Sequence, residues 1–351
     1  MSSLEASLAA ESSLTQGRLP RFAPAVVAAV AFGAALLIMV LADLGTFGLL
    51  FTVPIFLVLL PAWYAVVEGR RSAVDRLMTS LVWTALLVAL VPLVSVLWTV
   101  VQRGAPAVDW HFLSHSAFRT DLDQPIGVLH AVIGTLLVTL TAALISVPIG
   151  IMAAVYLIEY GAGSKWAAAI RFLVDVMTGI PSIVAGLFAF AVFTLLFGPA
   201  YRSGLGGAVA LSLLMVPIVV RSTEEMLRLV PNELREAAYA LGTPKWRTIV
   251  KVVLPTALGG IVTGITLATA RVVGETAPLL LICGATDDIN WSVFDGYSMT
   301  LPVFIYSSQA KGHPEDFAIA WGAALVLVVI VMTLNIIARI IGKIFAPAKG
   351  N

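Results

Sequence analysis

Arg271 and Glu275 stand four residues apart in "ATARVVGETAPLLL", residues 268–281, with apolar sequence on either side. On a continuous helix such a spacing puts both side chains on one face, where they can pair. The same face followed backwards carries Ala268, Gly264 and Gly260, small residues that let a second helix approach closely. The stripe therefore points at protein, because a charge turned toward lipid costs several kcal/mol. Counted from Leu254 at about 1.5 Å per residue, Arg271 lies on the order of 25 Å along the helix, past a bilayer midplane. Two chemistries fit. The pair can lock two helices together, or it can line a path for an anion. In the second case Arg271 offers paired donors to an oxyanion, and Glu275 holds the guanidinium and moderates its grip.

Other reactive groups are sparse. The single cysteine, Cys283, excludes an internal disulfide and a multi-cysteine metal site. The four histidines are scattered, and His130 reads as an interfacial residue at the outer end of its helix. No H-E-x-x-H stretch and no pair of intramembrane aspartates points to hydrolysis. No G-x-x-x-x-G-K-[ST] stretch is present to cradle a nucleotide. Asp175, in "RFLVDVMTGIPS", is expected to bond Thr178 or cap the turn before Pro181.

The elements that must position these residues follow from composition. Of 351 residues, 60% are hydrophobic and 12% charged, against about 25% charged in soluble domains. Apolar windows recur at about 24–43, 46–67, 79–101, 128–158, 170–198, 207–220, 254–283 and 318–342. Each is long enough, or nearly so, to cross a bilayer core as a helix. The short window at 207–220 is expected to continue outward through "RSTEEMLRLV". Pro148, Pro181 and Pro217 should kink their helices.

Basic residues orient the chain. Sixteen fall on one side: Arg18, Arg21, Arg70, Arg71, Arg76, Lys165, Arg171, Arg221, Arg228, Arg235, Lys245, Arg247, Lys251, Arg339, Lys343 and Lys349. Four fall on the other: Arg103, Arg119, Arg202 and Lys311. The first side is thus expected to be cytoplasmic, with both termini there. The outer loops are acidic, at Asp109, Asp121 and Asp123 and again at Asp287, Asp288, Asp295, Glu315 and Asp316. The long stretch 284–317 is rich in aromatics and reads as a solvated loop or a docking surface. The first twenty residues lack the pattern of a signal peptide and read as a cytoplasmic tail.

The segment 221–253, "RSTEEMLRLVPNELREAAYALGTPKWRTIVKVV", outlines two helices. Asn232 is an expected N-cap, and Glu233 suits the positive end of the dipole. Gly242 permits a left-handed stop. Thr243 and Pro244 open the second helix. A DNA-binding pair would have this spacing, but the segment is tethered between membrane spans. A short helix that plugs into a cytoplasmic partner fits better.

At these residues the sequence resembles the ABC importer permeases. "EAAYALGTPKWRTIVKVVLP" carries Glu236, Ala237, Ala238, Gly242, Leu254 and Pro255 at the positions of that family's loop signature, with Val252 where Ile is usual. "TGIPSIVAGLF" and "ARVVGETAPLLL" resemble the A-type permease subunits of high-affinity phosphate importers. The resemblance implies an all-α polytopic membrane protein of about eight transmembrane helices. A six-helix type I permease core would occupy 77–345, after a tail at 1–22 and an additional helix pair at 23–76, and before a tail at 346–351. It implies that the loop 221–253 couples to a separate ATPase present in two copies. It further implies a second permease subunit, an extracytoplasmic phosphate-binding protein, and a place in the cytoplasmic membrane. On this reading the chain has no catalytic residue, metal or cofactor of its own, ATP being used by the partner. Arg271 and Glu275 become a translocation or gating pair, and Asp175, Pro181 and Gly274 candidates for a structural or gating role. A permease for sulfate or molybdate and an ion-driven secondary transporter are the alternatives.

Overall fold

The computed structural model describes residues 19–43, 45–118, 125–199 and 201–345. The tails at 1–18 and 346–351, with Arg119, Asp121 and Asp123, lie outside the described residues. Every regular element among the described residues is a helix, as a lipid solvent requires of backbone groups that must bond within their own segment.

The contacts divide the chain after Trp98. The first unit holds α1 (Ala23–Leu41), α2 (Thr52–Val67) and most of α3 (Arg70–Gly104). Along α1 the buried residues are Ala23, Val27, Ala31 and Ala35, a period of four that makes one narrow contact stripe. Val27 packs with Leu60, Tyr64 and Ala73. Gly69 turns the chain between α2 and α3 at φ +89°, a conformation open to glycine at little steric cost.

The second unit continues through α4 (Trp110–Ser114), α5 (Leu129–Val155), α6 (Lys165–Thr178), α7 (Ser182–Phe197), α8 (Gly204–Arg228), α9 (Asn232–Ala240), α10 (Lys245–Thr248), α11 (Leu254–Val273), α12 (Ala277–Ile282), α13 (Leu301–Lys311) and α14 (Pro314–Phe345). Its core lies along α5 and α8, where Val138, Ala142, Ala208, Leu211 and Met215 are buried together. Ser203 caps α8 by accepting the Gly206 N–H at 3.2 Å. As expected, α8 runs unbroken past its apolar window to Arg228.

Among the described residues, seven helices are long and apolar enough to cross a membrane, and the bent pair α6–α7 raises the number to eight. Two windows and one loop nevertheless differ from the simple expectation. Window 170–198 is bent by 109° between Thr178 and Ser182. Pro181 keeps Ile180 out of the helical region and itself sits at φ −59°, ψ 139° as the start of α7. Window 254–283 ends at Val273, resumes at Ala277, and carries Pro278 in the first turn of α12. An unbroken helix would drive the Pro278 ring into the Gly274 carbonyl. The expected outer loop at 284–317 contains α13, whose Leu301, Val303 and Phe304 belong to the core. Thr135 on α5 accepts the Leu301 N–H at 2.7 Å and so pins that helix from inside.

Candidate functional site

The two helix breaks meet. A cavity of about 200 Å³ lies between the α6–α7 bend, α8 and the end of α11. Thr178, Pro181 and Ser182 line it from the bend, Pro217 and Ile218 from α8, and Arg271 and Glu275 from the α11 terminus. The small-residue stripe on α11 does face protein. Gly260 lies against Met226 and Gly264 against Ser222, both on α8, and Ala268 is fully buried.

The pairing of Arg271 with Glu275 is corrected by the structure. The helix stops at Val273, so Glu275 no longer follows Arg271 by one helical turn. Among the described residues neither has an ion-pair partner within 4 Å. Gly274, at φ −89° and ψ 0°, ends the helix. Arg271 thus presents an unneutralised guanidinium at the cavity, with Glu275 half-buried beside the same space. The first N–H groups of α7 also open near it. Val184 and Ala185 already donate to the Pro181 carbonyl, whereas Ser182 and Ile183 have no acceptor inside their helix. A guanidinium and a helix N-terminus bordering one small space form an environment that favours an anion.

Asp175 is corrected as well. Thr178 donates to the Val174 carbonyl at 2.9 Å, and Asp175 pairs with Arg221 on α8. That pair belongs to a larger cluster. The Glu224 carboxylate, 3% exposed, takes Arg171 Nε at 3.2 Å and Arg228 Nη2 at 2.8 Å, with Arg221 Nη1 at 3.6 Å. The three arginines tie α6 to α8 at the end of the bundle that carries the loop.

In that loop, Pro231 takes the N-cap position and α9 opens at Asn232, one residue earlier than expected. Asn232 Oδ1 accepts from Arg235 rather than from the backbone. At the far end Gly242 adopts φ +73°. Its N–H donates to the Tyr239 carbonyl at 2.9 Å, and the Thr243 N–H to the Ala238 carbonyl at 3.2 Å, the paired closure that left-handed glycine stops make. Thr243 therefore contributes its backbone here and does not cap α10. Ala238 is buried, while Glu236 and Ala237 face outward. Beside them Leu234, Tyr239, Leu241 and Trp246 are exposed, Leu241 by 85%. Leu254 and Pro255 begin α11 beyond a wide turn at Ile249–Val253, where Pro255 has no N–H to offer the Lys251 carbonyl.

Sequence reading missed the group that fastens this loop. Arg235 reaches Glu159, in the wide turn Tyr156–Tyr160 that ends α5. The only hint was a carboxylate closing an apolar run, in "YLIEYG". His130 is also misjudged as interfacial. It is 2% exposed, takes the Ala117 N–H on Nδ1 at 3.2 Å, and meets the edge of Phe304.

Comparison with known proteins agrees with this geometry. A family model described as the binding-protein-dependent transport system inner membrane component matches residues 146–351. The chain is 46% identical over 279 residues to the phosphate transport system permease protein PstA 1 of Mycobacterium tuberculosis (strain CDC 1551 / Oshkosh), covering 78% of this chain and 90% of that protein. It is 37% identical over 270 residues to the phosphate transport system permease protein PstA of Haemophilus influenzae, covering 77% and 94%. Among solved structures, a chain of a bacterial alginate ABC transporter, crystallised with an alginate-bound periplasmic protein, superposes with a TM-score of 0.54 at 17% identity, covering 77% of this chain and 96% of that one. An inward-facing MetNI methionine ABC transporter chain gives 0.51 at 20% identity, covering 63% and 95%. At those identities the structural likeness is one of fold.

Proposed function

The chain belongs to the binding-protein-dependent transport system inner membrane components, and we propose that it is the permease subunit of an ATP-driven importer of inorganic phosphate. The observation that carries the substrate is the 46% identity with a phosphate permease across nine-tenths of that protein. An unneutralised Arg271 at a cavity between two broken helices supports an anion as cargo.

In this reading the chain works by alternating access and hydrolyses nothing itself. A soluble phosphate-binding protein delivers the anion to the acidic, aromatic outer segment, where Trp291 and Phe294 are exposed. Phosphate passes the cavity at Arg271, which takes two of its oxygens with parallel N–H donors. A pair of ATPase subunits docks on the exposed residues of α9 and its flanks, on the basic, cytoplasmic side where both termini lie. ATP binding there moves α9, and the movement reaches the α6–α7 bend through α8. A second permease subunit completes the pathway. The first unit, residues 1–98, anchors the chain in the cytoplasmic membrane.

The test is reconstitution in vesicles. The chain assembled with its ATPase, second permease and binding protein is expected to accumulate phosphate only with ATP, and excess sulfate or molybdate should leave uptake unchanged. Accumulation by the chain alone without ATP overturns the importer reading, and equal competition by sulfate overturns phosphate selectivity.

A further inference from the structure

We propose that the crevice between α1, α2 and α3 seats one anionic phospholipid, its phosphate on Arg76 and one acyl chain running down the crevice between the three helices. The crevice encloses about 550 Å³. Its walls include Ala28, Phe56, Leu60, Trp83 and Leu87, and the polar groups among them are concentrated on one strip. Arg76, Ser80 and Thr84 follow one another at intervals of four on α3, so they share a face. Ser80 lies about 6 Å and Thr84 about 12 Å farther along the helix than Arg76.

Three observations make this strip a ligand site rather than a bare seam between helices. The Arg76 guanidinium carbon sits 5.1 Å from the centre of the Tyr64 ring, a contact that fixes the planar group yet leaves its N–H groups unoccupied among the described residues. No carboxylate lies within 4 Å of it among the described residues. The nearby acids are otherwise placed: Glu68 accepts the Leu19 N–H at 2.6 Å, and Asp75 is exposed. The second observation concerns hydroxyls. Thr79 satisfies itself on the Asp75 carbonyl at 2.9 Å, but Ser80, only 7% exposed, and Thr84 make no hydrogen bond among the described residues. Thirdly, across the crevice the buried Thr52 Oγ1 also has no partner. A buried hydroxyl without a partner, as Thr52 Oγ1 is, carries an appreciable desolvation cost.

A phospholipid answers all three. Its phosphodiester accepts from Arg76, and its ester carbonyls, a short way deeper, accept from Ser80. Its hydrocarbon fills the apolar walls, and its glycerol oxygens offer an acceptor to the Thr52 hydroxyl across the crevice. Arg70 and Arg71 at the start of the same helix reinforce the preference for negative headgroups, as basic pockets between membrane helices do on the cytoplasmic side. The site rests on the charge-based orientation of the chain and not on its transport activity.

The experiment is native mass spectrometry of the purified full chain in detergent. Phosphatidylglycerol and phosphatidylcholine with identical acyl chains are supplied separately, and the retained adducts are compared. Phosphatidylglycerol should be retained several-fold better than phosphatidylcholine: both carry the phosphodiester, but the choline ammonium neutralises its headgroup and is repelled by the Arg76 guanidinium. Arg76→Gln should abolish that preference, and Arg71→Gln, outside the crevice, should retain most of it. Ala28→Trp should displace the lipid by filling the crevice while leaving every charge in place. Gel filtration of each variant shows that it is folded and monodisperse. Equal retention of the two lipids, or undiminished retention by monodisperse Arg76→Gln, overturns the proposal. So does displacement of the lipid by millimolar inorganic phosphate, which would make the site one for the free anion.

Discussion

Arg235 places Nε and Nη2 on the same oxygen of Glu159, at 3.1 and 2.9 Å. Its remaining donors reach the Val230 carbonyl at 2.6 Å and the Leu227 carbonyl at 3.0 Å. The two side chains are 13% and 5% exposed. One arginine of α9 thus grips the wide turn that ends α5, the Leu227 carbonyl at the negative end of the α8 dipole and the Val230 carbonyl just beyond it. Since α5 and α8 form the core of the second unit, any push on α9 is delivered to the two central helices at one point.

Breaking this pair should be costly. Removing one partner of a buried ion pair leaves the other uncompensated, at about 3–5 kcal/mol. Arg235→Met is therefore expected to lower the melting temperature of the purified chain. Glu159→Gln, which keeps the shape and an acceptor, should melt nearer to wild type yet raise the ATP hydrolysed per phosphate moved by the assembled importer. An unchanged ratio in Glu159→Gln would show that the pair holds the loop without transmitting its motion.

Gly242 offers a test of backbone shape free of crowding. Nothing lies within 4 Å of a Cβ built there, so Gly242→Ala adds only the left-handed strain of about 1–2 kcal/mol. The stop of α9 should loosen, and recovery of the ATPase in pull-downs from solubilised membranes should fall several-fold. Gly242→Asn, better suited to that conformation, should retain more of it than Gly242→Ala.

At the cavity, Arg271→Ala removes the cation proposed to meet the anion. Loss of a charge-assisted contact of about 1.5–3 kcal/mol predicts a drop of roughly tenfold or more in phosphate uptake at wild-type membrane levels. Arg271→Lys should restore part of the rate, keeping charge but not the paired donors. Normal uptake by Arg271→Ala would remove this residue from the pathway.

Thr135→Val removes the acceptor for the Leu301 N–H while nearly conserving volume. Leaving that buried donor unpaired should cost about 1–3 kcal/mol. The expected result is faster hydrogen exchange across 299–304, read by mass spectrometry, with the rest of α5 unchanged.

Much of this architecture is legible from apolar length alone. The windows at 24–43, 46–67 and 318–342 correspond to helices because lipid leaves the backbone no other partner. Gly242 was legible from its chemistry, as a residue that can stop a helix in the left-handed region. The breaks were harder to read. Gly274 and Pro278 stand in plain view around Glu275, yet a period of four invited one continuous helix and a false pair. The ion pairs escaped altogether, because packing brings Arg171 of α6 to Glu224 of α8 across 53 positions and Arg235 of α9 to Glu159 at the end of α5 across 76. Periodicity reports which face of a helix is buried and is silent on which distant charge it will meet.

The only thiol of the chain belongs to Cys283, which is fully buried at the spot where Gly207 passes too closely for a side chain. Inaccessible thiols react slowly, so the native protein is already a nearly blank background for maleimide chemistry. A cysteine placed at Leu241 or at Trp291 would carry the sole accessible label. A membrane-impermeant reagent applied to intact cells would then tell the two faces apart without any other alteration to the chain.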